Sequence, residues 1–251
     1  MAAFSPDSLP AMSTVAPKRP IALWGRNRHT ALAALVLMHR HATSLCLVDE
    51  DTAARGPWLE SVPSVSADRL ANDARVLHSA VGKSPPPSMS SEAFDLDLAS
   101  EDALKVEMRR LSLVQLHSVA HQLHGWGFSL EAQFVDGVIF DLFNSRVPAA
   151  AIIGEGTTFG YGGIGVVIHK GSVIGRNVKI GQNVTLGSRA GGAGLPVIGD
   201  DVYIGPNSVC LGGSVGDGAV IGAGSVVLHP VAAGAVVAGN PARTIRSGPK
   251  P

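Results

Sequence analysis

The chain has 251 residues, 45% of them hydrophobic, which is long enough for a full core and two modules. Its 20 basic and 20 acidic residues cancel to a formal net charge of zero, which argues against a nucleic-acid or anionic-membrane partner. Cys46 and Cys210 have neither metal-ligand spacing nor the density of a disulfide framework, so a reducing cytoplasm is the expected compartment.

Residues 1–20 are rich in Pro, Ser and Ala, without the charged start and apolar core of a secretory signal, and are expected to form a disordered tail. The longest apolar run, Ala31–Met38, is too short to span a bilayer. From residue 21 to 82 the order is Rossmann-like. A strand at Ile21–Trp24 meets a turn at Gly25, a helix over His29–His41 follows, and a second strand at Ser44–Val48 runs into Asp49-Glu50-Asp51. A short helix at Ala67–Asn72 and a strand at Arg75–Ala80 complete the segment. The phosphate-binding turn is reduced to Gly25-Arg26-Asn27-Arg28-His29-Thr30, which keeps only the first glycine of G-x-G-x-x-G, so a degenerate fold unit and a nucleotide site both remain open.

Residues 83–100, with Pro85-Pro86-Pro87, read as a linker. Helical spacing then runs from Glu101 to about Leu123 and again over Ser129–Phe143, ending before Pro148. Residues 101–147 are expected to cap the next module, although Phe134–Phe143 can also be read as a patch for a membrane or partner. His117, His121 and His124 share one helical face, with a metal site and cap-packing histidines as the two readings.

A six-residue period dominates the remainder. Ile168, Ile174, Ile180 and Leu186, then Ile198, Ile204 and Cys210, recur in steps of six, most of them followed by glycine. Val215, Ile221 and Val227 continue one residue out of phase, which places a one-residue deletion near Leu211–Ser214. Such a period predicts a solenoid of short strands and tight corners, with the marker aliphatics inward and Gly or Asn at the corners. The Gly-rich stretch Ser188–Leu195 reads as an insertion that replaces a full repeat and forms a loop over a groove. His169 follows the inward Ile168 and is expected to point outward.

Three motifs carry a resemblance: Phe159-Gly160-Tyr161-Gly162-Gly163-Ile164-Gly165-Val166-Val167-Ile168, Ile180-Gly181-Gln182-Asn183-Val184-Thr185-Leu186-Gly187, and Ile221–Val227 leading to Ala238-Gly239-Asn240-Pro241-Ala242-Arg243. Together they resemble the hexapeptide-repeat acyltransferases, in the serine acetyltransferase branch that includes exopolysaccharide sugar O-acetyltransferases. The resemblance implies a mainly β fold, a left-handed parallel β-helix over residues 148–245 and a short tail at 246–251. It also implies a homotrimer, acetyl-CoA as co-substrate in a groove between chains, no metal, and a histidine that takes a proton from an acceptor hydroxyl. The small Rossmann-like segment resembles those fused ahead of some sugar acyltransferases.

At the positions where the family carries its catalytic histidine, the carboxylate that orients it and its second histidine, this chain has Gly162, Arg146 and Leu195. The base therefore falls to His169, with Tyr161 as a residue that orients the acceptor. Gly187, Gly205, Ala223 and Gly224 are the small residues expected along the cofactor, and Arg243 the residue for its phosphates. His229 is read as structural. The expected function is O-acetylation of a sugar or small metabolite. The alternatives are a trimeric scaffold that has lost the chemistry and an N-acetyltransferase acting on an amino sugar nucleotide.

Overall fold

A computed structural model describes residues 21–24, 32, 36, 45–48, 64–65, 75–78, 101–189 and 194–248. The expected tail, the linker, the Gly25–Thr30 turn and the Ala67–Asn72 helix lie outside these residues. The chain divides into two compact units, residues 1–100 and 101–251.

In the first unit, β1 (Ile21–Trp24), β2 (Leu45–Val48), β3 (Ser64–Val65) and β4 (Arg75–His78) form a parallel sheet in the order β3-β2-β1-β4. That is the strand order of a dinucleotide-binding half, with the reversal between β1 and β4. The pair Ser64–Val65 was not anticipated, because two residues are too few to show a period. Within the expected helix, Leu32 and Val36 are helical and buried, one turn apart.

The second unit begins with helices. The single helical stretch expected from Glu101 to Leu123 is two helices, α1 (Glu101–Met108) and α2 (Leu113–Gly125). Ser112 breaks it by starting a new helix. Its side chain accepts from the Gln115 amide while Gln115 Oε1 accepts from the Ser112 amide at 2.9 Å, a reciprocal cap that only a helix start uses. α3 spans Ser129–Phe143 and ends because Asn144 turns left-handed at φ 50, sooner than the coming proline would require. α2 and α3 pack against each other, and Leu116, Val119, Ala120 and Leu123 of the one and Val135, Val138 and Ile139 of the other are all buried.

The six-residue period folds as a three-sided parallel coil. One face holds β5 (Ile152–Ile153), β8 (Val173–Ile174), β11 (Val197–Ile198) and β14 (Ser214–Val215). A second holds β6 (Thr158–Phe159), β9 (Lys179–Ile180), β12 (Tyr203–Ile204), β15 (Val220–Ile221), β17 (Val236–Gly239) and the antiparallel β18 (Ala242–Arg246). The third holds β7 (Val167–Ile168), β10 (Thr185–Gly187), β13 (Val209–Leu211) and β16 (Val226–Val227). The markers Ile168, Ile174, Ile180, Leu186, Ile198, Ile204, Cys210, Val215, Ile221 and Val227 all point inward, none more than 3% exposed. Each such side chain contributes about 1.5–3 kcal/mol by leaving water. Burial also pushes the Cys210 thiol up to about 12, so it is an inert core residue.

Apart from the longer turn after β6, corners after the first and second faces follow one rule. The third residue beyond the marker is left-handed, and Gly156, Asn177, Asn183, Asp201, Asn207, Gly218 and Gly224 occupy that place with φ between 56° and 74°. These are the residue types that tolerate it. The predicted deletion is also present: β13 passes to β14 through Gly212 and Gly213 alone, both at φ 81. The Ser188–Leu195 insertion, by contrast, replaces no repeat. Leu186 and Ile198 lie on consecutive faces, so the coil skips no strand between them.

The helices join the first rung. His117 Nε2 lies 3.2 Å from Pro148 O, His121 Nδ1 lies 2.7 Å from Ala149 O, and Asp136 accepts from the Ala149 amide at 3.1 Å. The two imidazoles stack with centroids 5.8 Å apart. His117 and His121 therefore tie the cap to the coil.

Candidate active site

The corner after the third face is where the repeat departs from its rule. Its four passes are His169–Gly171, the Ser188–Leu195 loop, Gly212–Gly213 and Leu228–Pro230, each of a different length or shape. His169 is half-buried at the first of these. Its amide donates to Leu186 O at 2.8 Å, and its carbonyl accepts from the Ser172 amide at 2.9 Å, closing the turn. Its Nδ1 accepts from the Gly171 amide at 3.1 Å.

Stacking then shapes the space beside the ring. Leu186 pairs with Ile168, so Gly187 lies opposite His169 one rung on, and Leu211 lies opposite Gly187. Rungs are about 4.8 Å apart. A Cβ on Gly187 would meet Leu211 Cδ2 at 3.6 Å and Thr185 Cγ2 at 3.9 Å, both ordinary contacts, so the position beside Leu211 is open. From the inserted loop, Leu195 closes over Gly171: a Cβ there would sit 2.5 Å from Leu195 Cδ1. His169, Gly171, Gly187, Leu195 and Leu211 thus share one corner. Gly171 and Leu211 were not singled out from sequence, since neither breaks the period.

Tyr161 lies elsewhere. Three extra residues between β6 and β7 form a tight turn over Gly160–Gly163, in which Tyr161 has φ 50, ψ 37 and is 82% exposed. Buried Ser145 holds this turn by donating to Gly163 O at 2.6 Å and accepting from the Val166 amide at 2.9 Å. Leu113 of α2 presses on Gly163 from the cap side. Nothing in the sequence marks Ser145 for that role. Tyr161 and His169 sit at opposite ends of β7, so a single chain does not bring them together.

The other small residues follow Tyr161's corner. A Cβ on Gly205 would lie 2.5 Å from Ala223 N, so stacking of the coil alone already demands glycine there. Gly224 faces open space at φ 67, and Ala223 beside it is exposed. Arg243 is exposed and donates to Ala242 O at 3.0 Å. With Leu228, His229, Pro230 and Thr244 it lines a cavity of about 300 Å³ at the far end of His169's corner column.

The three departures have structural roles of their own. Arg146 extends the third face beside Val167 and lays its guanidinium 5.3 Å from the Phe140 ring centroid. Gly162 is left-handed at φ 75 next to Phe143, and Leu195 covers Gly171. Among the described residues, no cluster of His, Cys, Asp and Glu is arranged to hold a metal, and no helix is long and apolar enough to cross a membrane.

A three-sided coil on a six-residue period is the hexapeptide-repeat architecture. Two family profiles agree: "Bacterial transferase hexapeptide (six repeats)" matches residues 196–229, and "Hexapeptide repeat of succinyl-transferase" matches residues 177–197. Serine acetyltransferase 2 of Arabidopsis thaliana is 41% identical over 53% of this chain and 42% of its own length. Serine acetyltransferase of Bacillus subtilis is 35% identical over 61% of this chain and 72% of its own. The structure of soybean serine acetyltransferase complexed with serine superposes with a TM-score of 0.50 at 38% identity, covering 56% of this chain and 57% of that one. The chain therefore belongs to the serine acetyltransferase-like family of hexapeptide-repeat acyltransferases, although it spans less than half the length of the Arabidopsis relative.

Proposed function

We propose that this chain transfers an acetyl group from acetyl-CoA to a hydroxyl of a small acceptor, with His169 as the imidazole at the reacting carbonyl. The observation that carries the reading is the third-face corner, where His169 stands half-buried one rung from Gly187 and Leu195 lies over Gly171. A thioester is already electrophilic, so the chain's task is to align the two reactants and manage charge and protons. Family membership supports acetyl-CoA as the donor. Arg243 and the cavity beside it lie along the same corner column and suit the donor's phosphates.

A sugar or sugar-like hydroxyl is the acceptor we favour over serine. Gly162, Arg146 and Leu195 replace the family's usual chemical groups, and a parallel α/β unit with the strand order of nucleotide-binding proteins precedes the coil. A cyclic trimer completes the site in this reading. The two corners flanking the third face carry Tyr161, Ala223 and Gly224 on one side and His169 and Gly187 on the other, and a neighbouring copy is needed to face them together. We take the compartment to be the cytoplasm, in keeping with the free, buried Cys210.

The test is thiol release from acetyl-CoA over a panel of sugars, sugar nucleotides and serine, followed by mass spectrometry of the product. An acetate ester is expected, and an amide would move the acceptor to an amino sugar. A second reading, a scaffold without chemistry, is favoured by the structural uses found for Arg146, Gly162 and Leu195. Calorimetric binding of acetyl-CoA without thiol release on any acceptor would support it.

A further inference from the structure

We propose that His169 serves the transfer as a hydrogen-bond donor, its Nε2–H directed at the thioester carbonyl oxygen, and does not act as the base that removes the acceptor's proton. This role rests on the acyl-transfer reading above.

A backbone amide can only donate. The Gly171 N–H reaches His169 Nδ1 at 3.1 Å, so Nδ1 presents its lone pair there and the hydrogen of the neutral ring sits on Nε2. A base needs a lone pair facing the acceptor. In this tautomer the Nδ1 pair is occupied by the corner amide, and Nε2 has none. Moving the hydrogen to Nδ1 would set two donors against each other and leave the Gly171 amide without its acceptor. The corner resists that change, because the Ser172 amide closes it onto His169 O at 2.9 Å and Leu195 covers Gly171. The His169 amide is tied to Leu186 O at 2.8 Å, which fixes the backbone of this corner one rung from Gly187. No described residue bonds Nε2.

The step balances without a protein base. The acceptor's hydroxyl oxygen attacks the thioester carbonyl carbon and forms the new C–O bond, while the carbonyl electrons move onto oxygen, where Nε2–H receives them as a hydrogen bond. Collapse of the tetrahedral species restores the carbonyl and breaks the C–S bond. The sulfur leaves with that electron pair and takes up, through water, the proton that the hydroxyl releases. The products are the acetate ester and the free thiol. A preorganised donor at a developing oxyanion accelerates such steps by roughly 10²–10³-fold.

Two measurements on the full chain test this. Long-range ¹H–¹⁵N correlation of the imidazoles, with His169 assigned by the signals lost in His169→Gln, is expected to show hydrogen on Nε2. Hydrogen on Nδ1 in an active enzyme overturns the role and leaves acyl transfer standing. In kinetics, His169→Gln supplies an amide N–H but no base, and is expected to stay within about tenfold of wild type. His169→Ala is expected to fall roughly 10²–10³-fold. Equal losses in Gln and Ala, with an acid limb in the wild-type pH profile that Gln lacks, would identify a base and overturn the proposal. Full activity in Ala also overturns it. No thiol release from wild type on any acceptor removes the acyl-transfer reading and this role together.

Discussion

Gly171 has the smallest side chain at the site and one of the most constrained positions. Leu195 occupies the space a Cβ would need, 2.5 Å away at Leu195 Cδ1, so Gly171→Ala must push that leucine, and the loop behind it, off the corner. Because the obstruction is the flexible end of a side chain, the fold should survive while alignment over His169 suffers. We expect kcat/KM to fall about 10- to 100-fold with little change in thermal midpoint. Adding Leu195→Ala should recover part of the loss, which steady-state kinetics on the single and double variants will read. His117 makes a different residue-scale prediction. Burial, with His121 beside it, lowers its pKa from the ordinary 6.5 to about 4. The unfolded chain therefore binds a proton that the folded chain refuses, and stability is lost as pH falls from about 6.5 to about 4. The loss is on the order of 3 kcal/mol. Chemical denaturation at pH 7 and pH 4.5 should show it, and His117→Gln should flatten the slope.

At the scale of elements, the turn that presents Tyr161 depends on a side chain from outside it. Ser145 satisfies both Gly163 O and the Val166 amide in a buried place. Ser145→Ala leaves both without a side-chain partner, and we expect a cost of about 1–3 kcal/mol. Hydrogen exchange should speed up selectively at Gly163–Val166. The strands were legible in the sequence because each rung repeats one inward residue, from Ile168 to Val227, and even the phase slip at Gly212–Gly213 showed as a broken count. The break between α1 and α2 was less visible, since apolar spacing runs straight through Ser112 and only the Ser112–Gln115 pair betrays a new start. The site was legible only in part. His169 stood out as the residue after Ile168 that was not glycine. Ser145 and Leu211 act on residues about twenty positions away, and Gly171 acts both on Leu195 at that range and on His169 two residues before it, relations that the six-residue pattern does not record. The Ser188–Leu195 loop was misjudged for the same reason, because a six-residue insertion has the length of a repeat and only strand pairing tells the two apart.

For the whole molecule, the separation of Tyr161 from His169 has a direct test. If facing copies share the site, a chain lacking one group can supply the other. His169→Ala and Tyr161→Ala variants, each impaired alone, should regain activity when co-expressed and isolated as mixed assemblies. Tagging the two differently and assaying doubly purified material measures the recovery, and its absence would show that the two groups do not share a site. The unit at residues 1–100 brings its own parallel sheet, so the chain joins two architectures that need different periods.

The two-glycine corner after β13 also bears on how the chain reaches this state. In a structure made of near-identical storeys, a strand that docks one storey too high or too low still buries an aliphatic against aliphatics, and such slips are slow to undo. The shortened step works like a notch on a key. The single step from Cys210 to Val215 is one residue short, so Val215, Ile221 and Val227 match the rung below them only in the native alignment. Restoring a sixth residue there should give a protein that still coils but settles into several alignments, with slower and less uniform refolding.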